Sequence, residues 1–239
     1  IEWALERGLA IDEFAPRLAF YYVCQSDFFE EIAKFRAVRR VYAKIMRERF
    51  GARNPESMRL RFHCQTAAAS LTKAQPKINI VRTGLQALAA VLGGAQSLHT
   101  NGMDEAFAIP TEEAMKIALR TQQIIADETG VASVADPLGG SYFVESLTTQ
   151  FEQEIFGVLD EVERRGGTVK LIEDGWFQQR IADFAFDTVK RKASGDKPVI
   201  GVNRHVEPDE RVDVEIHPYD PTTAERQIAR LQRVRRERD

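Results

Sequence analysis

Arg17-Leu-Ala-Phe-Tyr-Tyr-Val-Cys24 is a near-continuous run of aromatic and branched residues, and it reads as a buried strand of a parallel sheet. Three residues on, Asp27 is placed to cap a helix from Phe28 to Phe50. In that helix Phe29, Ile32, Val38, Val41 and Ile45 recur at mostly helical spacing, and Gly51 ends it. Met58-Arg-Leu-Arg-Phe-His-Cys64 then alternates polar and apolar positions and reads as the next strand. A second helix opens at Pro76, runs through Ile80, Leu85, Leu88 and Val91, and stops at Gly93-Gly94. Ser97-Leu-His-Thr100 gives a third short strand. A third helix starts at Thr111, whose Thr-Glu-Glu-Ala context resembles an N-cap, and stops at Gly130. Strand and helix alternating through short loops build a parallel sheet with helical crossovers, so the fold class is α/β. Three repeats alone do not separate a barrel from an open sheet.

After Asp136-Pro-Leu-Gly-Gly-Ser141 the texture changes. Helical patterns run from about Glu145 to Arg165 and from Phe177 to Ala193, joined by Gly166-Gly167, and Pro198-Val-Ile-Gly-Val-Asn203 reads as one more strand. Thr222 to Arg238 forms an Arg-rich amphipathic helix carrying Ile228, Leu231 and Val234. These arginines alternate with apolar and acidic positions, as in a solvated or subunit-docking helix rather than a nucleic-acid surface. The expected division is residues 1–143 as strands, helices and ligand-facing loops, 144–205 as a helical continuation, and 206–239 as a C-terminal extension.

The 239 residues are 44% hydrophobic and 29% charged, with a formal net charge of -3. That supports one sizeable core and gives no sign of a nucleic-acid binder. No apolar run approaches the roughly 18 residues that mark a membrane span. Ile1-Glu-Trp-Ala4 opens directly into a helical pattern, which speaks against a signal peptide, and the absence of an initial Met suggests a chain cut from something longer. Cys24 and Cys64 lack CxxC spacing and read as two buried thiols in a reducing cytoplasm. Four His without HExxH-like spacing give no case for a protein-bound metal.

Three segments carry more polar chemistry than scaffolding needs. Phe62-His-Cys-Gln-Thr66 puts imidazole, amide and hydroxyl groups at the exit of a strand, the end where parallel α/β folds build their sites. A solvated polar strand end reads equally well. Gln96-Ser-Leu-His-Thr-Asn101 with Asp104-Glu105 delivers amide, imidazole and carboxylate groups to what reads as the same rim, although His99 alone could be a satisfied core histidine. Asp136-Pro-Leu-Gly-Gly-Ser-Tyr142 is read as a plain loop, since it lacks the GxGxxG or GxxxxGK[ST] context of a phosphate cradle. No nucleophile–base pair or carboxylate pair emerges, so a hydrolase has little support and no catalytic residue is assigned.

In this order, Ile11-Asp-Glu-Phe-Ala-Pro-Arg-Leu18, Ala33-Lys-Phe-Arg-Ala37, His63-Cys-Gln-Thr66, Asn79-Ile-Val-Arg-Thr83, Gln96-Ser-Leu-His-Thr-Asn101, Asp136-Pro-Leu-Gly-Gly-Ser-Tyr142 and Ile200-Gly-Val-Asn203 resemble the C-terminal part of the large subunit of the methylmalonyl-CoA mutase family. The tail, Asp220 to Asp239, resembles the end of large subunits whose cobalamin-binding domain is a separate polypeptide. The resemblance implies the later part of a (β/α)8 TIM-type barrel with additional C-terminal helices. It implies coenzyme A threaded along the barrel axis and adenosylcobalamin across the C-terminal rim, where the cofactor's radical chemistry moves a carbonyl-CoA group to a neighbouring carbon. It further implies three partners: an acyl-CoA substrate, the N-terminal remainder of the barrel, and a cobalamin-binding small subunit or domain.

Carried over position by position, Arg17 matches a coenzyme A contact, and its neighbour Ala19 stands where the family usually has Ser. Ala68, Glu105 and Ala108 fall at cofactor-contact positions, with Glu105 expected near the adenosyl ribose. Gln65 and Asn101 join them as cofactor-side donors, and Gln96 joins Arg17 and Ala19 as a substrate contact. Ala67-Ala68-Ala69 departs from the Ser-Gly-Trp of methylmalonyl-specific enzymes, and Ile78 replaces a usual Asn. Methylmalonyl-CoA is the default substrate, with isobutyryl-CoA, 2-hydroxyisobutyryl-CoA and ethylmalonyl-CoA as alternatives, and a non-catalytic assembly module as the alternative outside the class. The residues that choose the acyl group and the Asp-x-His-x-x-Gly loop that ligates cobalt are not in this sequence.

Overall fold

A computed structural model describes residues 1–208 and 214–238. The expected extension at 206–239 therefore lies in part outside the described residues. Two short helices, α1 (Glu2–Glu6) and α2 (Ile11–Phe14), lead through a 3-10 turn at Ala15–Arg17 into β1 (Phe20–Cys24). The strand begins three residues later than the apolar run suggested, because Pro16 sits in that turn. Helix α3 (Phe28–Glu48) follows, and the Asp27 side chain accepts from the Glu30 N–H as the sequence predicts. Pro55–Met58 forms another 3-10 turn, so β2 occupies Phe62–Thr66 rather than starting at Met58. Pro76–Ile78 is a further 3-10 turn, after which α4 (Asn79–Leu92) leads to β3 (Ser97–His99). Then comes α5 (Glu112–Asp127), with Thr111 as N-cap accepting from the Ala114 N–H.

The three strands pair in parallel in the order β1-β2-β3, with Tyr22 opposite Cys64 and Cys64 opposite Leu98. Side-chain alternation splits the sheet into two unlike faces. Cys24, Phe62 and Cys64 point into a core built with Ile32 and Phe35 of α3 and Ala89 and Ala90 of α4. Stacked rings of Phe35 and Phe62, 5.2 Å between centroids, mark its centre. On the other face stand Tyr21, Val23, His63, Gln65, Ser97 and His99. No described helix covers that face: Tyr21 is 60% exposed and Val23 42%. The expectation of a uniformly buried first strand is thus corrected, since only its even-numbered half is core.

Helix α6 (Tyr142–Arg164) lies along α3 and brings Val144 into the same core. Arg36 of α3 bridges Asp136 and Glu145, and Glu152 of α6 takes Arg40 at 3.3 Å and Lys44. A short helix missed by the periodicity, α7 (Thr168–Glu173), separates α6 from α8 (Trp176–Ser194). The run Pro198–Asn203 is not a strand. Asn203 Oδ1 accepts from the Val199 N–H at 2.6 Å, its Nδ2 donates to the carbonyls of Lys192 and Lys197, and the segment closes into a turn with a single bridge, Ile200 to Arg204. That turn docks on α4 through Arg82 Nη2, which donates to the Ile200 carbonyl at 2.7 Å. Helix α9 (Thr223–Glu237) closes the chain with Ile228, Leu231 and Val234 exposed. No helix among the described residues is long and apolar enough to cross a membrane.

Candidate functional site

Parallel strands give the uncovered face a direction. Arg17, Ala19 and Gln96 stand where β1 and β3 begin, and Gln65, Ala68, Asn101, Glu105 and Ala108 stand where β2 and β3 end. This corrects the expectation that Gln96 shares a rim with Gln65 and Asn101. A three-residue strand separates Gln96 from Asn101, and its amide is engaged locally. Its Oε1 accepts from the Phe62 N–H at 2.8 Å, and its Nε2 donates to the Gly94 carbonyl at 3.0 Å. Arg17 and Ala19 are exposed, and among the described residues no ion pair or side-chain hydrogen bond engages Arg17.

Between the two ends the face carries a chain of polar contacts. His63 Nδ1 lies 2.7 Å from Ser97 Oγ, and the His63 ring packs 4.8 Å from that of Tyr21. The Tyr21 hydroxyl donates to Gln65 Oε1, and Gln65 Nε2 donates to Asn101 Oδ1 at 2.9 Å. His99 is exposed on the same face, so the core-histidine alternative falls. Tyr21 was missed because it sits in an apolar run. Its odd-numbered parity with Val23 was the signal that could have found it.

The strand exits are held by buried amides. Asn101, 2% exposed, donates from Nδ2 to the Thr66 carbonyl at 2.7 Å and from its backbone N–H to the Thr66 hydroxyl oxygen at 3.0 Å, so its side chain positions the rim. Gln86 of α4, not singled out from the sequence, accepts from the Ala67 N–H at 2.9 Å and donates to Ser26 and Ser70. It thereby fixes the 3-10 turn Ala68–Ser70 that exposes Ala68. Asn79 spans the two exit loops, donating from Nδ2 to the carbonyls of Thr72 and Met103. Within the loop after β3, Glu105 is half-buried with no described partner for its carboxylate, and Ala108 beside it is small. An unengaged carboxylate is an acceptor available to the hydroxyl groups of a ligand.

Behind the sheet, Cys24 and Cys64 are buried free thiols. Cys24 donates to the Gln86 carbonyl at 3.1 Å, and its thiol is pushed far up by its hydrogen bond with Cys64 and by burial. The same bond holds Cys64 below its ordinary value. These groups face the core and not the polar face.

The family model for methylmalonyl-CoA mutase matches residues 1–239. The 2-hydroxyisobutanoyl-CoA mutase large subunit of Aquincola tertiaricarbonis is 75% identical over 97% of this chain, which covers 41% of that protein. The mitochondrial methylmalonyl-CoA mutase of Mus musculus is 43% identical over 98% of the chain, which covers 31% of it. The methylmalonyl-CoA mutase of Cereibacter sphaeroides is 42% identical over 99%, with 33% of it covered. The chain thus spans about a third to two fifths of the length of these relatives, and with its whole length matched it belongs to the methylmalonyl-CoA mutase family.

Proposed function

We propose that the chain is part of an adenosylcobalamin-dependent acyl-CoA mutase, and that β1, β2 and β3 are three staves of a (β/α)8 barrel completed by the rest of the protein. The observation that carries this reading is the uncovered polar face of the sheet, with a free guanidinium at its strand starts and a free carboxylate at its strand exits. Barrel interiors are ordinarily filled by bulky branched side chains. A face of Tyr21, His63, Gln65, Ser97 and His99 suits instead an elongated polar ligand lying along the strands. Arg17 grips a phosphate of coenzyme A at one end, as a fixed guanidinium does well. Glu105, which shares the strand-exit end with Ala68 and Ala108, receives the cofactor's sugar hydroxyls at the other. When bound, adenosylcobalamin supplies the radical chemistry of the rearrangement, while these residues bind, orient and shield.

The substrate we favour is 2-hydroxyisobutyryl-CoA, the acyl-CoA named in the 75%-identical relative. Moving its thioester carbonyl from the hydroxyl-bearing carbon to a methyl carbon gives 3-hydroxybutyryl-CoA with all atoms balanced. Methylmalonyl-CoA is the second reading, supported by relatives 42–43% identical and opposed by Ala67-Ala68-Ala69 and Ile78. A cobalamin-binding small subunit or domain is the proposed partner. The test is an assay of the intact large subunit, with that partner and adenosylcobalamin, on 2-hydroxyisobutyryl-, isobutyryl-, methylmalonyl- and ethylmalonyl-CoA. Preference for the first supports the assignment, and preference for methylmalonyl-CoA replaces it with the second reading. Rearrangement of none returns the chain to an assembly role.

A further inference from the structure

We infer that Asp104 is a positioning residue which sets the Glu105 carboxylate in place before the cofactor arrives. The inference rests on the reading of Glu105 as a cofactor contact. Asp104 is 2% exposed and belongs to the loop between β3 and α5. Its Oδ2 accepts from the Thr111 N–H at 2.7 Å. Helix α5 is already capped by the Thr111 hydroxyl, so this bond does not cap the helix. It ties the end of the loop back to its beginning. The Asp104 carbonyl does the same at shorter range, accepting from Phe107 N at 2.8 Å and Ala108 N at 3.3 Å. On the other side, Glu105 N donates to the Gly102 carbonyl at 3.2 Å, and Asn79 holds the Met103 carbonyl at 3.0 Å from α4.

Glu105 thus has a backbone pinned from both sides and a side chain with no described partner. That is the combination a preorganised binding group requires. The second oxygen, Oδ1, has no hydrogen bond, although it is buried. It occupies the space that a side chain at residue 102 would fill, 2.6 Å from where a Cβ would stand, so Gly102 is part of the same construction. A buried carboxylate with one orphaned oxygen costs stability. Such a cost is common where a group serves a site rather than the fold.

The experiment measures adenosylcobalamin dissociation constants and acyl-CoA KM for the intact enzyme carrying Asp104→Ala, Asp104→Asn or Glu105→Ala. Loss of loop position should weaken cofactor binding roughly tenfold to a hundredfold in Asp104→Ala. Acyl-CoA KM should barely change, and Asp104→Asn, which still accepts from Thr111, should restore most of the affinity. A lower melting temperature with wild-type cofactor affinity in Asp104→Ala would overturn the inference and leave Asp104 structural. If Glu105→Ala has no effect on cofactor affinity, the parent reading fails and this one with it. If Glu105→Ala weakens binding and Asp104→Ala does not, this inference fails alone. Hydrogen exchange on the unsubstituted enzyme needs no variant. Protection of the Phe107 and Thr111 amides before cofactor is added supports preorganisation, and protection gained only on binding overturns it.

Discussion

Arg17 and Glu105 stand at opposite ends of the sheet, and each makes a separable prediction. Arg17 could have been a structural partner of Asp12 or Glu13, but both acids are engaged elsewhere. Asp12 accepts from the backbone N–H groups of Arg53 and Asn54, and Glu13 accepts from Ala10 N. Replacing Arg17 with Met should therefore leave the melting temperature unchanged. Apparent KM for acyl-CoA should rise with little change in kcat, because a remote phosphate is held equally in ground and transition states. Kinetics and thermal unfolding on one sample check this, and an unaltered KM ends the ligand role. Glu105→Ala should lower adenosylcobalamin affinity by on the order of 1.5–3 kcal/mol, the worth of a charge-assisted hydrogen bond, with an unchanged fold by circular dichroism. Both residues are proposed from their matched positions, and the structure adds that neither has a described partner. Asn101, read as a donor to ligand, instead holds Thr66 and Gln65, a distinction that depends on tertiary distances no local pattern encodes.

Ion pairs tie α3 to α6 and to the loop before it, and one group of them is centred on Arg36, whose side chain is 10% exposed. Its bond holds the Asp136 carboxyl below its ordinary value, more than offsetting the opposing effect of burial. A depressed carboxylate stabilises the fold above its unfolded pKa, near 3.9, and that stability is lost as pH falls through the still lower folded value. Unfolding below about pH 4 should therefore be steeper in the natural chain than in Asp136→Asn. Arg36→Met should lower stability at neutral pH by about 1–3 kcal/mol, checked by denaturant midpoints. Elements with strong local signals were readable in advance: α3 from Asp27 and its apolar spacing, α5 from Thr111. Two were not. Helix α7 has six residues between Gly167 and Gly175, too few to show a period. Val199-Ile-Gly-Val202 has strand-like composition, but with no neighbouring strand among the described residues its backbone groups turn to Asn203 and Arg82 instead. Gln96 was assigned to the wrong end for a related reason, since a polar run of six residues spans a strand of only three.

At the scale of the whole molecule, the described residues give three parallel strands with one face uncovered. Among the described residues, β1 and β3 each present an unpaired edge and the polar face has no opposite wall. The chain expressed alone should associate or aggregate and should show no turnover. Light scattering and a mutase assay on the purified 239 residues check both. Rearrangement by this chain alone would refute the barrel account. The α/β class and parallel order were legible because each crossover helix announces itself, whereas three repeats alone carry no signal that separates a barrel from an open sheet. The most direct test of the central claim is cofactor dependence. The intact protein and the proposed cobalamin-binding partner are incubated with 2-hydroxyisobutyryl-CoA, with and without adenosylcobalamin, and the products are resolved by mass spectrometry after chromatography. The account predicts 3-hydroxybutyryl-CoA only when adenosylcobalamin is present. Absence of rearranged product with the cofactor, or an equal yield without it, would contradict it.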